Sequence, residues 1–92
     1  MGIRSHTFSR RRKYLVRVDE DMPDDLDGYV DWERKVLAIS PDLKGRALLE
    51  TVIHEALHIE LPSAPEFVVT RVARYVAALV WRIGYRLPNE EQ

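Results

Sequence analysis

The chain has 92 residues, with 14 basic and 15 acidic side chains, three histidines and a formal net charge of −1. This length makes one domain with a modest core, and 46% hydrophobic with 32% charged residues is a globular composition that excludes intrinsic disorder. The near-zero charge argues against a whole-surface nucleic-acid binder, and the absence of cysteine excludes disulfides and thiolate metal sites and fits a cytoplasmic protein.

Residues 1–13 carry the basic cluster Arg10, Arg11, Arg12 and Lys13, and no apolar segment of the kind a secretory signal needs. They read as a flexible basic N-terminal tail of a single domain, 1–92, with His6 an unremarkable member. The cluster is the one feature suited to phosphates, and against the near-neutral whole it leaves nucleic acid an unexpected partner. A membrane partner is not expected either. The longest apolar run, residues 75–81, falls far short of the ~18 residues of a spanning helix.

Residues 14–18 have strand composition, with Tyr14, Val16 and Val18 on one face at period two. The charge then reverses: eight acidic side chains and no basic one occupy residues 19–33. Asp24, Asp25, Asp27 and Gly28 lack the spacing and the closing Glu of a calcium loop, so this stretch reads as a solvated acidic turn. Residues 29–32 and 35–40 are the next strands, with Glu33 and Arg34 as the turn between them. In the second of these Val36 and Ala38 face one way, Leu37 and Ile39 the other, which predicts a strand covered on both faces. The expected fold class is α+β, a small antiparallel sheet of two or three strands followed by two packed helices.

Pro41 and Asp42 end the last strand. Ser40 or Asp42 is placed to cap a helix over residues 43–61, which Pro62 stops. Within it His54, Glu55 and His58 form an H-E-x-x-H sequence. With His54 at zero on a helical wheel, Ala47, His58 and Thr51 fall within about 60° and Glu55 near 100°. The rest of the circumference is almost uniformly apolar, as in a helix buried in the middle of a domain. Imidazoles four residues apart can hold one metal ion, and the Glu between them takes the position of a general base on the water that the metal activates. The alternative is a solvated or core-edge helix in which the two histidines have no ligand role.

A second helix is predicted over residues 63–86, with Ser63 as N-cap, Glu66 completing a capping box, and Gly84 then Pro88 ending it. Val69, Val72, Ala73, Val76, Val80 and Ile83 make its core face. A catalytic zinc has three protein ligands, so a third is sought. His6 lies in the tail. Glu60 points to about 240° on the wheel, nearly opposite the histidines, and Glu50, near 320°, sits one turn too low. Glu66 opens the helix after a short connection and shares its side with Thr70, Ala73 and Ala77. It is either the third ligand or the capping-box acid.

At these residues the chain resembles the zincin metalloproteins, and their gluzincin branch in particular, where H-E-x-x-H on one helix supplies two ligands and a Glu from a following helix the third. The matching residues are His54, Glu55 and His58 of His-Glu-Ala-Leu-His, and Glu66 of Ser-Ala-Pro-Glu-Phe. The short sheet ahead of the motif is similar to that of the minimal ImmA/IrrE-type and SprT-like members, often found in phages and mobile elements. The resemblance spans residues 14–86 in order of elements, and its specific part is the motif. It implies a zinc ion held by His54, His58 and Glu66, Glu55 as catalytic base, and an extended substrate added along residues 35–40 at a sheet edge. An oxyanion donor is also required, for which Tyr29, Tyr75 and Tyr85 are candidates by type. Trp32 and Trp81 are candidates for a partner surface.

The leading expectation is therefore a zinc-dependent metallopeptidase-like protein acting on a peptide or protein substrate. The alternatives are a non-enzymatic zinc-stabilised protein-binding module, which has no use for a base at Glu55, and a metal-free helical module that turns its basic arm to nucleic acid.

Overall fold

A computed structural model describes residues 4–86 of the chain. Four strands and two helices follow one another as β1 (Arg4–Thr7), β2 (Lys13–Val18), β3 (Gly28–Asp31), β4 (Val36–Ile39), α1 (Gly45–Glu60) and α2 (Glu66–Arg82). The class is α+β with two packed helices, as expected. The sheet is different: it has four strands in the order β1-β2-β4-β3, and it is mixed. β1–β2 and β3–β4 are antiparallel, but β2 and β4 run parallel.

The reason lies in which strand needs cover. Leu37, Ala38 and Ile39 are apolar on both faces, and the fold takes β4 into the interior of the sheet, where all three are 0–1% exposed. Residues 19–27 carry the chain past that place to the edge, β3 forms there, and β4 returns into the gap beside β2. A purely antiparallel sheet follows only if strands adjacent in sequence pair in space, which they do about two-thirds of the time. One consequence corrects the expected substrate edge. β4 has a neighbour on each side and offers no free edge, and the open edge next to the helices belongs to β3.

The basic stretch read as a tail is also corrected. Residues 1–3 lie outside the described residues, but Arg4–Thr7 is a strand in register with Val16 to Lys13 of β2. Its sequence shows no apolar alternation because an edge strand is held by main-chain pairing and needs no buried side chain. The anchor is Phe8, buried edge-on against Tyr14 with ring centroids 5.7 Å apart. The Phe8 N–H donates to the Arg12 carbonyl at 2.7 Å, which closes the hairpin. Arg10 and Arg11 turn it with φ of 59° and 60°, the left-handed region.

One face of the sheet packs on α1. Phe8, Tyr14, Leu37 and Ile39 meet Leu48 and Ile59 there, with Val16, Val30, Val52 and Ala56 around them. On the other face the Tyr29 hydroxyl donates to Asp19 Oδ2 at 2.8 Å. Tyr29 is on β3 and Asp19 follows β2, so this bond reaches across β4. It covers Ala38, whose neighbours in register are Arg17 and Tyr29. Thus β4 is covered on both faces, on one side by a helix and on the other by its neighbours' long side chains.

α2 packs against α1 on the side away from the sheet, through Val69, Ala73 and Ala77, each 0–1% exposed. Small residues at i and i+4 let the two helices approach closely. α1 is thus the middle layer, as its all-round apolar circumference requires. Neither predicted side-chain cap forms. Ser40 Oγ accepts from Asp42 N–H in a turn ahead of α1, whose N-cap is Lys44, and α2 starts from Pro65 with no side-chain cap. Gly84 ends α2 as predicted: with φ at 100° it lets its own N–H reach the Trp81 carbonyl and the Tyr85 N–H reach that of Val80.

Candidate metal centre

α1 presents His54 and His58 on consecutive turns, and the five-residue connection after it brings the first residue of α2, Glu66, back over them. His54 Nε2 lies 2.8 Å from Glu66 Oε1, His58 Nε2 lies 3.0 Å from the same oxygen, and the two nitrogens are 3.2 Å apart. The imidazole rings stand at 67° to one another, and both Nε2 atoms approach the same Glu66 oxygen. Among the described residues this is the one group of His, Asp and Glu side chains that could hold a metal ion. The acidic turn of residues 19–27 gathers no such set.

The donor set fits a small divalent cation. Two imidazole nitrogens and a carboxylate oxygen each offer one ligand atom, and a shared proton or a cation is what lets three such atoms lie this close together. Zinc bonds of ~2.0–2.2 Å in a tetrahedron set ligand atoms roughly 3.3 Å apart, within about half an ångström of every side of the triangle found. The histidine side chains are about three-quarters buried, while that of Glu66 is 65% exposed. The centre is therefore open on the Glu66 side.

The two readings of Glu66 now separate. It stands at the first position of α2 rather than the third, so its carboxylate is out of register for a capping box, and it bonds the histidines instead. Glu60, the neighbour rejected on the helical wheel, is turned away. Its Oε1 accepts from the Ser9 hydroxyl at 2.6 Å and from Arg12 Nη2 at 3.0 Å. The Ser9 hydroxyl and N–H together with Arg12 hold the pKa of its carboxyl below the usual Glu range. His6 lies on β1, edge-on to Phe8 at 4.6 Å, and belongs to the hairpin.

Glu55 sits between the ligands in sequence and beside them in space. Burial pushes its carboxyl above the usual Glu range, against the opposing pull of His54 and His58, and the Glu66 carboxylate adds to the rise. Gly28 stands directly against this side chain. A Cβ on Gly28 would come within 2.9 Å of both the Ala38 carbonyl oxygen and Thr51 Cγ2, and within 3.3 Å of Glu55 Cγ. The glycine is what lets the edge of the sheet close on this turn of α1. No sequence motif marks it; an isolated glycine opening a strand is the one local signal of such a close approach.

The tyrosines proposed as oxyanion donors are not brought to the centre. Tyr29 faces the other side of the sheet and spends its hydroxyl on Asp19. Tyr75 is 68% exposed on the outer side of α2, and Tyr85 lies beyond that helix's C-terminus, where it is 51% exposed. The open edge of β3 is nearer. The Ser40 N–H bonds to the Asp27 carbonyl at 2.8 Å. By the alternation of an antiparallel pair, Tyr29 and Asp31 then bond to β4, while Gly28 and Val30 turn their N–H and C=O groups to the open side. No helix among the described residues is long and apolar enough to cross a membrane. Comparison with known proteins finds no family model that matches the chain, and no curated protein or solved structure that matches it.

Proposed function

We propose that the chain is a zinc-dependent, metallopeptidase-like protein that hydrolyses peptide bonds. The observation that carries this reading is the convergence of His54 Nε2, His58 Nε2 and Glu66 Oε1 within 3.2 Å of one another beside the half-buried Glu55. Zinc held there would supply Lewis acidity, lowering the pKa of a bound water towards ~7 and polarising a carbonyl. The rest is done by the chain's own residues. Glu55, its pKa raised, is matched to taking a proton from the attacking water and returning it to the leaving amine. Gly28 lets the edge of the sheet close beside Glu55. The free N–H and C=O groups of Gly28 and Val30 suit an extended peptide laid along β3, which would bring a scissile bond past the centre. Such a site suits an unfolded or extended substrate, and a chain free of cysteine suits the cytoplasm.

Metal analysis of protein purified without added zinc, followed by Glu55→Gln, tests this. About one zinc per chain is expected, and the variant should keep it while losing cleavage of an unstructured protein by ~10²–10⁴-fold. A chain that takes up no zinc on titration overturns the metal reading, and cleavage that persists in Glu55→Gln overturns the mechanism. The second reading, a zinc-stabilised binding module, is favoured by one observation: none of the three candidate tyrosines reaches the centre. Zinc binding with no cleavage by the parent chain would select it.

A further inference from the structure

α2 uses only one side to pack on α1. Around the helix from Val69, Ala73 and Ala77, a second apolar strip of about 100° runs along its flank through Val72, Val76, Leu79 and Ile83, with Tyr75 at its border. Leu79 is 61% and Ile83 74% exposed, and Val72, Val76 and Tyr75 are exposed as well. The four aliphatic residues are spaced four, three and four apart, which is the repeat of a seam between two helices. Apolar side chains scattered singly on a surface need no explanation, but a continuous three-turn seam does.

The charge beside the seam indicates its occupant. Arg71 and Arg82 form the ridge next to Tyr75, and Arg74 lies further round; the only acidic residue of α2 is Glu66, which is turned to the histidines. Among the described residues Arg71, Arg74 and Arg82 have no carboxylate partner. Arg82 holds the position flanking a helix-pairing seam where a partner's opposite charge is read. A second copy is the poorer match, because two such faces laid together would crowd the arginines of both.

We propose that this flank of α2 docks an acidic amphipathic helix of a protein partner, whose apolar stripe fills the Val72–Val76–Leu79–Ile83 seam and whose carboxylates pair with Arg71 and Arg82. The surface lies on the side of α2 away from Glu66, so the inference does not depend on the metal.

The full chain should be titrated with a synthetic four-heptad helical peptide that carries Leu along its seam and Glu beside it, and with the same peptide carrying Lys in place of Glu. Binding of the Glu peptide at least about tenfold tighter than the Lys peptide is expected. Leu79→Glu should abolish it, and the Arg71→Glu, Arg82→Glu double variant should reverse the preference between the two peptides. Zinc uptake and the circular dichroism spectrum of each variant are read alongside, so that a failure to fold is not taken for a loss of docking. Equal binding of both peptides, or none, overturns the proposal. So does a dimer of the parent chain in sedimentation that Leu79→Glu dissolves, which assigns the seam to a second copy. Adsorption to phosphatidylserine-containing vesicles without binding of the Glu peptide assigns it to a lipid surface and overturns the proposal equally.

Discussion

Two polar clusters hang from the last two turns of α1, and they differ in one respect that decides what each can do. In the first, Glu60 meets the Ser9 hydroxyl and N–H and the Arg12 guanidinium, while Arg12 also donates to the Ile59 carbonyl at 2.7 Å. Every acceptor there has a donor and the negative charge has a positive one. The cluster closes on itself and clasps the β1–β2 hairpin to the end of the helix. In the second, His54, His58 and Glu66 bring three ligand atoms to one point with no Lys or Arg among them. Two glutamates six residues apart therefore have different chemistry. A complementary set is a fastener; a set of convergent ligand atoms is one that could hold a cation.

The sharpest way to break that comparison is to remove a ligand. His58→Ala should weaken zinc binding by more than about a hundredfold, beyond the 10–100-fold that outer partners of a metal ligand are worth; competition with a chromophoric chelator measures it, and unchanged affinity removes the centre. Next come the two glutamates. Glu66→Ala should cost more than about tenfold in zinc affinity, while Glu60→Ala should leave it within about twofold. Equal losses would make the two clusters one network. A subtler effect is expected at the wall the metal side shares with the sheet. Gly28→Ala drives a methyl group onto the Ala38 carbonyl and the Thr51 side chain, and should destabilise the fold by ~1–3 kcal/mol in urea denaturation. No loss there would mean that the sheet edge does not press on α1. The smallest change belongs to the clasp. Arg12→Ala, which frees the Ile59 carbonyl and Glu60, should lower Tm by roughly 2–6 °C with zinc affinity unaltered.

The clasp also shows how a basic sequence was misread. Arg12 stands in a run of four basic residues, which by composition is a tail. Nothing local reveals that Phe8 is buried or that a carboxylate more than forty residues away is waiting for Arg12. Both facts depend on α1 ending beside the hairpin. Gly28 was hidden for the same reason. An isolated glycine marks a close approach in general, but only the packed fold says that the approaching group is the turn carrying Glu55. By contrast, the seam on α2 could be read from spacing alone as an apolar face. The sequence reading then assigned Val72, Val76 and Ile83 to the core, because periodicity cannot say whether a second layer of protein exists to cover them.

By itself the sequence determined what rests on local periodicity. It gave the α+β class, the extents of both helices to within a few residues, the position of α1 as a middle layer, and the placing of His54 and His58 on one face with Glu55 beside them and Glu60 opposed. Those follow from ~100° per residue and from which residues tolerate water. Only the tertiary structure decided what rests on contacts between distant segments. It put β4 inside a mixed sheet because two apolar faces need two covers, and left β3 as the open edge. It also brought Glu66 to the histidines instead of to a cap, because α2 starts at that residue and packs back against α1.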